Sequence, residues 1–351
     1  MLMKRRLPVL PVCMLLFLLT GCSSETENGW EEDGKAIRFS LPSLTRTIIN
    51  GLTDLKKDGN AYAVWGQFTS NTENGQATRL FNQESIIYNA GTDKWDYTTE
   101  ERFWYTGNTY HFHALYPHPQ ALISGTVAYD YNQAPSGQLS INNFNALSGN
   151  TLEEKVDLLY ANHTDIDITT ENDIPQYGVS LAFKHLLSRV SFVGRSDEKY
   201  LGTERRIIID SARLYGIKTI GNWNSKTIND NPPSGSWTLI GDPLTNGSDE
   251  YNFSSEEPLP TEGISIFGDN ILFIPQSLTD AIFEIKYHYN IGAPEQRTIT
   301  FNLSDYTATW EPGKSYRYPF TISNHIFFQT PTVEEWKYAP VNGSDFNVDV
   351  D

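Results

Sequence analysis

Apolar residues in this chain recur mostly at every second position, the spacing of strands with one buried face. Ile37, Phe39 and Leu41 alternate with Arg38 and Ser40. Residues 61–66 read as a buried strand, and 85–90 and 94–97 as short strands around the turn Ala90-Gly91-Thr92-Asp93. The most aromatic stretch runs from Phe103-Trp104-Tyr105 through Gly107-Asn108 to 110–117. A Gly-Asn pair between two aromatic runs predicts a hairpin. On its second strand Tyr110, Phe112, Ala114 and Tyr116 share one face, and His111 and His113 share the other. Residues 136–150 read as loop. Leu152, Val156 and Leu159 fall at helical spacing, so 152–161 is the best short helix of this half. The polar, acidic stretch 162–176, with Pro175, reads as a linker.

The second half opens with Val179, Leu181 and Phe183 in one phase and Val190 and Phe192 in the other. A slip of one residue in a period of two predicts a bulge or bend near 186–188. Residues 207–209, 212–215, 271–275, 283–289 and 298–303 read as further strands. Asn231-Pro232-Pro233-Ser234-Gly235 is a break, and Glu311-Pro312-Gly313-Lys314 is a turn into a strand at 316–322. Many short strands, regular turns and few helices predict an all-β fold with a sandwich in each half.

The N-terminus changes the picture of where the chain works. Lys4, Arg5 and Arg6 precede an apolar run over 7–19, then Thr20, Gly21 and Cys22. This is a secretory signal, too short to span a membrane. The segment resembles a bacterial lipoprotein signal, in which Leu and small residues precede a cysteine. That resemblance implies removal of residues 1–21 and lipidation of Cys22, each buried methylene of the acyl chains contributing about 0.8 kcal/mol of anchoring. Residues 22–36, polar and acidic, form a leash. At roughly 100–200 residues per domain, the remainder suggests two sandwich domains, 37–175 and 176–351.

Hydrophobic residues make up 39% of the 351-residue chain and aromatics 13%, enough for packed cores. The formal charge is −17, and losing Lys4, Arg5 and Arg6 makes the rest more acidic still. Such a surface excludes nucleic acid and anionic headgroups, which need Lys and Arg to neutralise phosphate. Of the 2 cysteines, Cys13 lies in the signal and Cys22 is the lipid site. No disulfide, cysteine metal cluster or thiol nucleophile is then expected.

His111 and His113 project together and have the residue type for zinc, but only His118 stands near as a third ligand. They read as a solvated strand face. Asp165, Asp167, Glu171 and Asp173 lack the glycine and spacing of a calcium loop. With no Gly-x-Ser-x-Gly, phosphate loop or dinucleotide fingerprint, no enzyme, metal or cofactor is expected.

Five motifs carry a resemblance to a family. The aromatic strand ends in Tyr116-Pro117, and Val156-Asp157-Leu158-Leu159-Tyr160-Ala161 forms a short Asp-Leu-Leu segment. Phe183-Lys184-His185-Leu186-Leu187-Ser188-Arg189-Val190-Ser191-Phe192, then Trp310-Glu311-Pro312-Gly313-Lys314-Ser315-Tyr316, then Val333-Glu334-Glu335-Trp336, complete the ordered set. Together they resemble the fimbrillin-like lipoproteins. The resemblance implies two tandem transthyretin-like β-sandwiches and a type V pilus subunit. It implies export as a lipidated precursor to the outer membrane surface, cleavage by a protease after an Arg near the first strand, and capture of a neighbouring subunit's strand. Partners would be other fimbrial subunits, the membrane, the protease and surface ligands of host or bacteria. Arg46, before Thr47, best matches the cleavage position. Phe346, Val348 and Val350 alternate with Asn347, Asp349 and Asp351 after a Gly343-Ser344 break. This segment reads either as the donor strand or as an edge strand of the second sandwich. A surface glycan-binding lipoprotein, using some of the 8 Trp and 19 Tyr for stacking, is the alternative from another class.

Overall fold

The computed structural model describes residues 36–40, 55–71, 77–147, 157–197, 205–226, 235–268, 271–291, 295–323 and 326–335, all within the unit Lys35–Asp351. Cys22, Arg46, Thr47, Phe346, Val348 and Val350 lie outside them.

A central antiparallel sheet runs in the order Lys184–His185, Leu159–Ile168, Asn108–Tyr116, Ala61–Ser70, Thr78–Asn89, Lys94–Asp96. Its inner strands alternate between two buried faces. Tyr62, Val64, Tyr110, Phe112 and Ala114 pack on one face, and Ala63, Trp65, Leu115 and Tyr160 on the other. A two-stranded parallel layer, Phe39–Ser40 with Val179–Ser180, joins the first core.

A four-stranded sheet joins the second core, in the order Gly235–Ile240, Ile220–Ser225, Gln138–Asn145, Thr126–Asp130. Its strands come from both halves of the chain. Trp223 packs edge-on against Tyr160, ring centroids 4.8 Å apart, and Trp65 stacks on Tyr129 at 6.2 Å. Asn222 fixes the register by accepting a bond from the Asn143 amide at 2.7 Å.

The remaining strands form a sandwich around a third core. One sheet pairs Ser188–Ser196 in parallel with Lys314–Ile322, from Arg189↔Ser315 to Ser196↔Ile322. Ile264–Ser265 and Ile271–Phe273 flank the former, Ile326–Phe328 and Thr332–Glu335 the latter. The facing sheet is antiparallel: Asn252–Phe253, Ile207–Tyr215, Ile282–Tyr289, Arg297–Asn302. Phe192 stacks between Phe283 (4.5 Å) and Tyr318 (5.0 Å).

The bend expected at 186–188 separates Lys184–His185 from Ser188–Ser196, where the chain passes from the central sheet to the sandwich. The Trp-x-Pro-Gly-Lys-x-Tyr turn staples it. The Ser188 hydroxyl donates to the Glu311 carbonyl at 2.7 Å, Gly313 N–H to the Leu187 carbonyl at 2.9 Å, and Trp310 Nε1–H to the Tyr318 hydroxyl at 3.0 Å.

Several local expectations give way to tertiary pairing. The aromatic hairpin is absent, because both edges of Asn108–Tyr116 pair with distant strands. Trp104 instead folds over that strand, 4.7 Å from Tyr110. Part of the stretch read as loop is the strand Gln138–Asn145. The end of the expected helix and the start of the expected linker merge into Leu159–Ile168, and 152–156 lie outside the described residues. Leu159, Tyr160 and Ala161 are buried between two cores, which gives an apolar run with no strand alternation to read. Farther along, Asp165 and Asp167 take the exposed positions on either side of Ile166.

The histidine face is corrected too. His111 and His113 are buried, not solvated. Tyr160 and the Ser136 carbonyl lie 2.7 and 3.0 Å from the two ring nitrogens of His113. Since a carbonyl can only accept, Nε2 carries the proton and Nδ1 accepts from Tyr160. The Asp165 amide donates to His111 Nδ1 at 3.1 Å.

Candidate functional site

The segment preceding Arg46 in sequence begins as a strand seated in a groove, and the groove is built from the sequence upward. Gly66 interrupts the buried strand Ala61–Ser70, and a Cβ there would lie 2.8 Å from the Phe112 ring. Its absence lets Phe112 and Phe81 settle onto the sheet. Phe39 packs edge-on against both, with centroid separations of 5.3 Å to Phe81 and 5.6 Å to Phe112. Ile37, two residues earlier and on the same side of the strand, is 0% exposed and Phe39 is 3% exposed. Each such side chain contributes about 1.5–3 kcal/mol by burial.

Main-chain bonds hold both edges. On one side Val179 N–H donates to the Arg38 carbonyl at 2.7 Å, and Leu181 N–H to the Ser40 carbonyl at 2.9 Å. Gly178, at φ +78°, makes the close approach possible, since a Cβ there would stand 2.6 Å from the Arg38 oxygen. On the other side Ile37 N–H donates to the Arg102 carbonyl at 2.7 Å. The Tyr97 hydroxyl donates to the Ile37 carbonyl at 3.0 Å and accepts from Arg102 N–H at 3.1 Å. Burial pushes the Tyr97 phenol up in pKa, against the Arg102 amide and the Arg38 cation, which lower it. It therefore remains a neutral donor.

Between the two anchors Arg38 points the other way. It pairs with Glu101 and lies 5.8 Å over the Tyr97 ring. The strand is thus read through two apolar sockets, main-chain bonds on each edge and one cation. Main-chain bonds serve any strand alike, whereas the sockets and the cation site discriminate between sequences.

The Ile37 and Phe39 alternation identified the seated strand, and the Val179, Leu181, Phe183 alternation identified its partner. Their parallel pairing had no sequence signal. Nor did the roles of Tyr97 and Arg102, which act through one hydroxyl and one carbonyl. The tryptophans weighed for stacking mostly serve the cores: Trp65, Trp95, Trp104, Trp223 and Trp310 are buried. Trp237 donates its Nε1–H to the Leu186 carbonyl at 2.8 Å. Asp173 caps its own turn, accepting from the Thr170 amide at 2.6 Å and the Thr169 hydroxyl at 2.6 Å. Among the described residues no helix is long and apolar enough to cross a membrane.

Fold and groove together define a multi-sheet β protein that holds its first strand by both edges. The fimbrillin-like family profile matches residues 45–336, most of the chain, and the chain belongs to the fimbrillin-like family. No curated protein matches it. Its fold is similar to that of a fimbrial protein from Bacteroides vulgatus, at 18% identity and a TM-score of 0.59, over 86% of this chain and 100% of that one. Proteins assigned to cell adhesion also align. One, from Bacteroides uniformis, is 14% identical over 87% of this chain and 100% of its own, with a TM-score of 0.44. Another, from Bacteroides ovatus, is 13% identical over 87% and 98%, with a TM-score of 0.47.

Proposed function

We propose that this chain is a structural, non-enzymatic subunit of a cell-surface fimbria, exported as a precursor lipidated on Cys22. Cleavage between Arg46 and Thr47 then detaches the segment that includes the seated strand. The strand of a neighbouring subunit takes its place, with Phe346, Val348 and Val350 as this chain's own donor residues. The two domains, taken as 37–175 and 176–351 and joined by a sheet with strands from both, act as one subunit at the outer membrane surface, with adhesion as a role of the assembled fimbria.

One observation carries this reading: Ile37 and Phe39 are buried in sockets, yet among the described residues the strand holding them has just the two-residue strand Val179–Ser180 on one edge and a single bridge, Ala36 to Phe103, on the other. Once cut, such a segment leaves at modest cost and exposes apolar surface with unpaired backbone, which favours capture of a replacement strand. Family membership supports the assembly role. Electron microscopy of cells displaying this chain, with Arg46 intact or as Arg46→Ala, tests it. Surface filaments containing the chain are expected only with Arg46 intact, and filaments that incorporate Arg46→Ala equally well, or no incorporation of either form, would refute it.

A further inference from the structure

The groove also limits which strand can enter it. Replacing Ile37-Arg38-Phe39 means filling two apolar sockets one residue apart and placing one side chain between them. That middle side chain faces acid. Glu101 is in contact with Arg38, and Asp96 adds a favourable field at the guanidinium. The Arg38 side chain is 16% exposed and that of Glu101 39%, so the pair sits at the rim of the groove, where water screens the charges in part. The nearby cation Arg102 has its own acid, Glu84 at 3.9 Å, and lies 5.8 Å over the Phe81 ring. Removing the strand therefore leaves Glu101 and Asp96 without the cation that faced them.

The chain's own C-terminal alternation fits the sockets and not the charge. Aligned as apolar-x-apolar, its candidate triplets are Phe346-Asn347-Val348 and Val348-Asp349-Val350, with Asn or Asp in the middle. In the first register Asn347 leaves Glu101 without a cation, and in the second Asp349 sets a like charge beside it, so neither restores the pairing that Arg38 supplies. We infer that the groove selects a strand of the form apolar-basic-aromatic, and so takes its replacement from a different subunit rather than from a second copy of this chain. This rests on the strand-exchange reading and adds partner identity to it: the neighbour carries Lys or Arg between two large apolar residues of its donor strand.

The test uses the full chain, cut by an Arg-specific protease that is inhibited before peptide is added. Fluorescent peptides copying 36–41 (AIRFSL), the same with Glu in place of Arg, and 346–351 (FNVDVD) are titrated by anisotropy. The Arg peptide is expected to bind about three- to tenfold tighter than either acidic one, the range of one charge contact at the rim of an interface. Glu101→Lys should reverse the order of the first two peptides, and Glu101→Gln should abolish the preference without reversing it. A structural role for Glu101 alone would instead weaken all three peptides together. Equal binding of the Arg and Glu peptides to the cut chain overturns the selectivity and leaves strand exchange standing. If no peptide binds the cut chain, strand exchange falls and the selectivity falls with it.

Discussion

At the scale of the residue, the most consequential side chain outside the groove is His113. Burial lowers its pKa from 6.5 to about 4, against the Ser136 carbonyl, which favours the proton, and with His111, which opposes it. The folded chain therefore holds a neutral ring that the unfolded chain protonates below about pH 6.5. The sign follows from linkage: a depressed folded pKa gives stability that is complete above the unfolded value and lost as pH falls toward the folded one. His111 and His118 shift in the same direction, also by burial. Urea unfolding at pH 7.0, 5.5 and 4.5 should show a steady loss, up to about 1.4 kcal/mol per pH unit from His113 alone. His113→Gln should start less stable and lose less over that window. An equal pH slope in the two proteins would contradict this role. Sequence placed His111 and His113 together on one face but read that face as wet. Imidazole is at home in either setting, and only the partner strands decide which.

At the scale of the element, Gly178 shows how one position can hold a strand. Gly178→Ala brings a Cβ within 2.6 Å of the Arg38 oxygen and requires a left-handed backbone that alanine resists. It should cost more than about 1 kcal/mol locally. Hydrogen exchange should quicken at the Val179 and Leu181 amides, which bond to the seated strand, and stay unchanged along Asn108–Tyr116. Unaltered exchange at those two amides would show that the pairing does not depend on the glycine. Elements with one wet face were legible: Ile282–Tyr289, Arg297–Asn302 and Lys314–Ile322 all follow visible alternation. The four strands of the bridging sheet were not. Gln138–Asn145, Ile220–Ser225 and Gly235–Ile240 carry Asn or Gly, residues depleted in strands, and Thr126–Asp130 is only 5 residues long. Their apolar content is concentrated in a few anchors such as Leu139, Ile141 and Trp223, whose partners lie far away in sequence.

At the scale of the whole molecule, that bridging sheet ties the two halves together. Ile220–Ser225 pairs with Gln138–Asn145, and Trp223 enters a core shared with Trp65 and Tyr160. Heating should therefore unfold the described body in one transition. Trp223→Ala, at about 3–5 kcal/mol for a buried large aromatic, should lower that one transition as a whole. Two separate transitions, only one of them moved by the substitution, would argue that the halves are independent. The groove has a different place in this architecture. Its strand forms a layer beside the central sheet, paired with Val179–Ser180 on one edge and bridged to Phe103 on the other, and is absent from the core that the two halves share, so its loss leaves that core in place. Strand exchange requires that this strand be gone from the chain after assembly. Mass spectrometry of the chain recovered from surface filaments answers this directly. The predicted result is a chain beginning at Thr47, without Ile37, Arg38 and Phe39; filaments built of chains that still carry those three residues would contradict it.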